Sequence, residues 1–384
     1  MNFSLSLSTQ RYFRLGVSTF FFIQGLTFAS WASRIPDIKA RLHLSEGQLG
    51  GILLALPLGQ LTAMTLSGYL VSRFGSKKTL PIGVLLYPAA LVLLGAVTQV
   101  WQMAGALFLF GVFGNLCNIS INTQGIGVER IYRRSIMASF HGLWSLAGFT
   151  GGVIGGIMVA DNISPLQHFS IIYLIDIALL AIAHRYILPR DAASGGQAKK
   201  KIFVKPDRAI VLLGMIAFAS MICEGTMFDW SGIYFEKVVD APKALTRLGY
   251  IAFMTTMATG RFAADFLVTR FGITRVLQMS GIVILSGMST AVLFPGLLPA
   301  TIGFLLVGFG VSSVVPLVYS LAGRSKTMLP GIALASVSSI GFLGFLIGPP
   351  IIGFIAEASS LRLSFITVAL LGLGTTFLAG KVRQ

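Results

Sequence analysis

The chain has 384 residues, of which 55% are hydrophobic and only 11% are charged, and its mean hydropathy is +0.83. A soluble domain carries about 25% charged residues, so this composition excludes a water-soluble protein. The net charge of +16 does not indicate nucleic-acid binding, because the basic residues lie in short segments between apolar runs.

Apolar runs of roughly 20 residues recur along the whole chain, and each is long enough to cross a hydrocarbon core about 30 Å thick. Helices are expected there, because hydrocarbon offers no partner to unpaired backbone groups. The predicted fold class is an all-α polytopic membrane protein. Its twelve transmembrane helices are predicted at residues 12–32, 46–72, 79–98, 101–126, 136–160, 168–188, 208–235, 245–268, 275–295, 298–322, 331–356 and 362–381.

The basic residues predict the orientation of these helices. With both termini on one side, that side receives 21 of the 29 lysines and arginines, which predicts that both termini are cytoplasmic. The longest polar connection is rich in Gly, Ser and Lys and is typical of a flexible linker. It predicts a six-helix half at 1–188, a cytoplasmic linker at 189–207, and a second six-helix half at 208–384.

The two halves contain related sequences. A shift of 197 residues aligns LVSRFG at 70–75 with LVTRFG at 267–272, and it also pairs Gly111 with Gly308 and Gly151 with Gly348. A shift of 199 places Trp31 on Trp230. Ordered matches in several spans predict two parallel structural repeats.

Two parallel six-helix repeats and the segment GYLVSRFGSKK at 68–78 resemble the major facilitator superfamily, whose motif in this loop reads roughly G-x-L-a-D-R-x-G-R-K. Ser72 replaces the usual Asp, so the resemblance assigns the charge contact of this loop to Arg73 and Glu129. The segments ASWASRIP, INTQGIGVER, FHGLWSLAGF, EGTMFDW and IGPPIIG are similar to bacterial carriers related to fucose permease. The alternative to a gating role for the loop at 68–78 is that its positive charges only anchor it on the cytoplasmic side of the membrane.

The resemblance implies that spans 1, 4, 7 and 10 line a substrate cavity. In span 4, Asn115, Asn118 and Asn122 share one helix face, where their amides can bind a solute or neighbouring helices. In span 1, Gln24, Thr27 and Trp31 have the same spacing. Trp144 in span 5 and Tyr319 in span 10 complete the predicted substrate-binding set, and Pro316 predicts a bend in span 10.

Ionisable groups at membrane depth are expensive and are functional candidates. Glu224, in the middle of span 7, is the first choice for carrying a proton, and a structural contact with a neighbouring helix is the alternative. The other proton-coupling candidates are Asp176, Asp229 and His141.

The gating candidates are mostly charged residues at helix ends. Arg261 and Asp265 are four residues apart in span 8 and are expected to pair. The complete predicted gating set is Arg73, Lys77, Glu129, Arg261, Asp265 and Arg270.

These features predict a secondary transporter that moves a small polar organic solute, sugar-like or similar, across the bacterial inner membrane by alternating access. Coupling to protons, through symport or antiport, is part of the prediction. The alternative is a proton-driven exporter of amphipathic compounds, which the glycines of span 5 favour. The sequence contains no ATP-binding motif, nucleophile–base pair or metal-ligand spacing, so we expect no enzyme activity, metal or cofactor. The expected partners are solute, protons and lipid, with the chain a monomer and no nucleic acid bound.

Overall fold

A computed structural model describes residues 7–132, 136–191, 206–325, 328 and 330–382, except for the side chains at 7, 138, 265, 330 and 331. In these ranges the chain forms fourteen α-helices and no strand. They are α1 (Leu7–Arg41), α2 (Glu46–Leu53), α3 (Ala55–Phe74), α4 (Ser76–Ala96), α5 (Val100–Tyr132), α6 (Met137–Ala160), α7 (Pro165–Ala183), α8 (Arg208–Lys237), α9 (Leu248–Phe271), α10 (Ile273–Leu293), α11 (Leu297–Val311), α12 (Val314–Gly323), α13 (Pro330–Ala358) and α14 (Leu361–Lys381).

The predicted all-helical membrane fold is confirmed. Eleven stretches within the described residues are long and apolar enough to cross a membrane. The remaining predicted span, at 245–268, forms α9 with 24 residues. This helix is long enough at 1.5 Å per residue, and it is less apolar because it contains Arg261, Asp265 and Arg270. Most of the predicted linker at 189–207 lies outside the described residues.

Two of the predicted spans are broken helices. Proline has no N–H and its ring clashes with the carbonyl four residues earlier, so it interrupts the hydrogen-bond ladder of a helix. Pro316 follows the break at Ser312 and Ser313 that separates α11 from α12, and the predicted bend in this span is confirmed. Pro57 follows the break at Leu54 that separates α2 from α3, in a span predicted to be continuous.

Contacts divide the chain into two compact units. The first contains Met1–Leu42 and Ala55–Gln197, and the second contains His43–Leu54 and Ala198–Gln384. In the first unit α1 packs on α6 and α7, and α5 packs on α3 and α4. In the second unit α8 packs on α13 and α14, α11 packs on α9 and α10, and α2 packs on α13.

The same close helix contact occurs inside each unit. Gly111 of α5 lies against the carbonyl oxygen of Leu56, and Gly308 of α11 lies against that of Phe253, so closely that neither position has room for a Cβ atom. The shift of 197 residues that aligns the two sequences relates both partners of this contact. Glycine is required because the two backbones meet here. The sequence repeat therefore corresponds to a repeat of helix packing.

Candidate functional site

A buried carboxyl group lies inside the first unit, between α7 and α1. Thr27 Oγ1 is 2.8 Å from Asp176 Oδ2, to which it donates, and both residues are completely buried. Asp176 Oδ1 has no hydrogen-bond partner among the described residues. The structure thus joins one predicted substrate-binding residue to one predicted proton-coupling residue, 149 positions apart in the sequence.

This contact shows the direction of the α1 face that carries Gln24, Thr27 and Trp31. Because Thr27 binds α7, its face of α1 is directed into the first unit. Trp31 is 0% exposed and Gln24 is 7% exposed, and the Trp31 Nε1 atom has no hydrogen-bond partner within the described ranges. This face of α1 consequently forms part of the buried interior of the first unit.

The second unit repeats the Thr–Trp pair without the acid. Thr226 and Trp230, which correspond to Thr27 and Trp31 at a shift of 199, are also fully buried. The hydroxyl of Thr226 donates to the carbonyl of Ile222, at 2.8 Å. The position that matches Asp176 at the 197-residue shift is Leu373. The shared packing of the repeat therefore does not require a carboxyl group at this place.

The three asparagines of α5 form two kinds of contact. Asn122 Nδ2 donates to the backbone oxygen of Asn118 at 2.9 Å and lies 3.2 Å from its Oδ1 atom. Asn115 is half-buried, and its Oδ1 atom is buried without a hydrogen-bond partner in the described part of the chain. Asn115 therefore has an acceptor oxygen that the described helices leave unused.

Two half-buried acids lie on α8 of the second unit. Glu224 is close enough to Arg261 of α9 for their charges to interact. Asp229 interacts electrostatically with Tyr250, which is 2% exposed. The side chain of Asp265, the expected partner of Arg261, lies outside the described residues.

Three further predicted residues, Trp144, His141 and Tyr319, lie on two helices, α6 and α12. The Trp144 ring is 5.9 Å from that of Phe28, and the exposed His141 meets Phe21 edge-on at 5.2 Å. Tyr319 packs against the apolar core of the second unit. These contacts provide half-buried aromatic surface on α6 and α12.

Among the described residues, the structure records no contact between Arg73 and Glu129, which were expected to pair. Arg73 is exposed, donates to the Tyr69 hydroxyl, and lies over the Tyr69 and Phe74 rings. Glu129 Oε2 instead accepts from the backbone N–H groups of Ile136 and Met137, at 2.8 and 3.0 Å. A helix start has unpaired N–H groups that favour a carboxylate, and Glu129 satisfies those of α6.

Two other residues predicted for gating, Lys77 and Arg270, are exposed at helix ends. Lys77 lies in the first turn of α4. Arg270 lies over the ring of Phe271 at 5.6 Å, the same separation that Arg73 has from Phe74. These two arginine–phenylalanine pairs are related by the sequence repeat.

The sequence analysis missed a polar cluster at the start of α4. The Asp191 carboxylate accepts from both the backbone N–H of Ser76, at 2.8 Å, and the Ser76 hydroxyl. Gln124 Nε2 donates to the Ser76 hydroxyl at 2.7 Å, and Gln124 also binds both backbone groups of Leu188. Gly75, before Ser76, has no side chain to cap the start of α4. This missing cap is the feature of the sequence from which an acceptor on another segment could have been predicted.

The contacts by which Arg34 joins α1 to α7 were also not predicted from the sequence. Its guanidinium is buried and donates to His168 Nδ1 at 3.2 Å and to the carbonyl of Ile163 at 2.7 Å, and it pairs with Asp37 at 3.4 Å. These bonds hold the end of α1 against α7 and the turn before it.

Similarity to known proteins agrees with this architecture. The chain is 34% identical to an uncharacterized MFS-type transporter of Yersinia pestis over 353 residues, which cover 91% of both chains. It is 24% identical to the cis,cis-muconate transport protein of Acinetobacter baylyi, over 87% of this chain and 84% of the relative. The fold resembles that of a solved structure of the nucleoside transporter NupG with a TM-score of 0.77, at 13% identity, over 97% of this chain and 100% of that one.

The sequence model of the Major Facilitator Superfamily matches residues 16–327. Together with the Yersinia relative and the two repeated helical units, this match shows that the chain belongs to the Major Facilitator Superfamily of membrane transporters.

Proposed function

We propose that the chain is a secondary active transporter that moves a small polar organic solute by alternating access, coupled to protons. The observation that carries this proposal is the completely buried Asp176, which is bound by a hydroxyl and is absent at the matching position of the second repeat. An ionisable group at membrane depth is costly and is a functional candidate for that reason.

Asp176 has the contacts that reversible proton binding requires. Its hydrogen bond comes from the neutral hydroxyl of Thr27, and it forms no ion pair among the described residues. Gain or loss of a proton therefore breaks no salt bridge. Glu224, Asp229 and His141 remain the other proposed proton-coupling groups, and Glu224 differs in having the charge of Arg261 nearby.

The proposed solute is small and polar because the half-buried groups are amides and aromatic rings. Asn115 offers an unused acceptor to a hydroxyl or amino group, and Trp144 offers a ring face. Gln24, Thr27, Trp31, Asn118, Asn122 and Tyr319 complete the proposed substrate-binding set. The names of two similar proteins, a muconate transport protein and a nucleoside transporter, refer to solutes of this class. Membership of the fucose-permease-related branch is part of the same proposal.

The proposed setting is the bacterial inner membrane, with both termini in the cytoplasm and the chain working as a monomer. We propose the halves 1–188 and 208–384, joined by the linker at 189–207, as the two moving bodies. Arg73, Lys77, Glu129, Arg261, Asp265 and Arg270 are the proposed gating residues.

Uptake into proteoliposomes tests the proposal. A panel of radiolabelled sugars, nucleosides and dicarboxylates is offered with and without an imposed pH gradient. We expect one class to accumulate when the gradient is present, and Asp176→Asn to abolish the accumulation while leaving solute exchange without a gradient. Asp161→Asn, at an exposed helix end, is the matched control. Undiminished gradient-driven uptake by Asp176→Asn would rule out Asp176 as the coupling group.

Export of amphipathic compounds is tested separately. Expression in an efflux-deficient host should leave the resistance to dyes and detergents unchanged. A several-fold gain of resistance would favour the exporter over the solute carrier.

A further inference from the structure

The short helix α2 is attached to the second unit, although it precedes α3 of the first unit in the sequence. Its first turn lies against the end of α13. Glu357 Oε2 accepts from the Ser45 hydroxyl at 2.7 Å and from the backbone N–H of Gly47. One carboxylate oxygen thus holds two groups at the start of α2.

Helix α2 has a capping box of its own besides the contact from Glu357. Ser45 and Gln48 already form a complete capping box, in which the Ser45 hydroxyl accepts from the N–H of Gln48 and the Gln48 side chain accepts from the N–H of Ser45. This arrangement pairs the N–H groups of Ser45 and Gln48 without Glu357. Glu357 pairs the N–H of Gly47 from another helix, and this contact therefore also attaches α2 to α13.

Two further contacts complete the attachment. Lys237, at the end of α8, forms an ion pair with Glu46 of α2. Gly50 of α2 packs on the backbone of α13, so that a Cβ atom there would lie 2.8 Å from the carbonyl oxygen of Pro349. Glycine on both helices makes the contact close, because Gly353 of α13 lies against Gly50 in return. We call Glu357, Lys237 and the start of α2 the α2 clasp.

The polar contacts of the α2 clasp can open and close reversibly, because they lie on the surface of the protein. Glu357 and Lys237 are exposed to solvent, where water can replace their hydrogen bonds when the contact opens. The helical hydrogen-bond ladder is interrupted at Leu54, directly after α2, because Pro57 has no N–H to donate. A segment with an interrupted ladder on one side and an exposed clasp on the other can change its attachment without unfolding.

We propose that Glu357 is a positioning residue for transport, which fastens α2 to α13 in one state of the transport cycle and releases it in the other. This inference rests on the proposed function, because it assigns the clasp to alternating access. The bonds that Glu357 makes are to groups of α2, so its action on the solute is indirect.

Distance measurements between spin labels test the clasp without a solute. The labels are placed at Gly51→Cys, an exposed site on α2 with no neighbouring atom within 4 Å, and at Ser359→Cys, exposed just after α13. The native Cys117 and Cys223 are 0% and 1% exposed and stay unlabelled. In lipid nanodiscs the otherwise unchanged chain should show a dominant short distance. Glu357→Ala should lower the ratio of short to long distances by about tenfold, because it removes two charge-assisted hydrogen bonds.

The matched control is Glu236→Gln, which removes an exposed acid one residue before Lys237. It should leave the distance distribution unchanged. Lys237→Ala should shift the ratio in the same direction as Glu357→Ala and by less, and it provides a second variant if Glu357→Ala does not fold. A distribution unaffected by both clasp variants, or moved equally by Glu236→Gln, overturns the proposal.

A reversible cross-link then connects the clasp to transport. Gly51→Cys and Ser359→Cys, which leave Glu357 and Ser45 in place, are joined by a bifunctional methanethiosulfonate reagent in proteoliposomes loaded with the solute found by the uptake panel. The cross-link should lower the transport rate at least tenfold, and a reducing agent should restore the rate. The reagent should not change the transport rate of either single variant. Full transport by the cross-linked protein overturns the role of the clasp. If no panel solute is carried, the proposed function fails, and the distance measurement still decides whether the clasp opens.

Discussion

The backbones of Gly75 and Gly272 adopt the same unusual conformation, with φ of 81° and 79° and ψ of 149° and 155°. The two residues end the repeated motif in LVSRFG and LVTRFG, and each directly precedes a new helix, α4 or α10. This region of φ and ψ is accessible almost only to glycine. The motif therefore specifies a sharp turn between two membrane helices in both halves.

Alanine at the second of these turns should destabilise the protein for backbone reasons alone. A Cβ atom at Gly272 would meet no atom within 4 Å, so steric crowding by neighbours does not contribute. Gly272→Ala should lower the free energy of unfolding by about 1–3 kcal/mol. Thermal unfolding in detergent, followed by tryptophan fluorescence, measures the change.

The control for this substitution is Gly68→Ala. Gly68 lies within α3 and also has open space around its Cα atom. Alanine is the better helix former, so the transition temperature should stay unchanged or rise slightly. Equal losses at both positions would contradict the turn as the cause.

Arg41 and Arg362 bind equivalent helix ends in the two units. Arg41 donates to the carbonyl oxygens of Gly95 and Leu94 at the end of α4, at 2.8 and 3.4 Å. Arg362 donates to those of Val292 and Leu293 at the end of α10, at 2.6 and 3.4 Å. The last carbonyls of a helix have no partner within it and favour a cation.

Removing this arginine should loosen the end of α10. Arg362→Ala is expected to lower the free energy of unfolding by about 1–3 kcal/mol, because it leaves two carbonyl groups without a charged donor. Hydrogen exchange of the last turn of α10 should become faster, and that of α4 should not change. Arg362→Lys retains the charge but loses the planar two-bond geometry, so an intermediate effect is expected. No change with Arg362→Ala would show that solvent replaces the arginine at no cost.

The positions of the membrane spans follow from the sequence, because each apolar run is long enough to form one span. The repeat is also visible there, since Gly111 and Gly308 need no structure to be aligned. The interruption at Leu54 is different: Pro57 lies within a run that stays apolar, so hydropathy alone predicts one span.

Pairs between distant helices were harder to predict. Thr27 and Asp176 were both candidates, but their contact depends on how α1 packs on α7. Arg73 and Glu129 have opposite charges at related helix ends, yet Glu129 binds the start of α6. Sequence shows which groups are costly in a membrane, and packing decides which of them meet.

The link between Asp191 and Ser76 should protect the start of α4. Asp191→Ala removes an acceptor from both the N–H and the hydroxyl of Ser76, so hydrogen exchange at this amide should accelerate by about tenfold or more. The start of α8 is the internal reference, because the N–H of Ile210 is bound by Asp207. Acceleration at both amides, or at neither, would contradict a local role for Asp191.

The glycines that line α1 and α6 give the sharpest contrast between crowded and open positions. Gly25 of α1 lies directly against the carbonyl oxygen of Trp144, and a Cβ atom has no room there. Gly156 of α6 has no neighbouring atom within 4 Å of an added Cβ. Gly25→Ala should therefore force α1 away from α6 and cost about 1–3 kcal/mol, while Gly156→Ala should be neutral or slightly stabilising. Thermal unfolding of the two variants, compared at equal detergent concentration, measures the difference. If these glycines served flexibility and not close packing, both variants would change the stability alike. That result would favour the alternative function, a proton-driven exporter of amphipathic compounds.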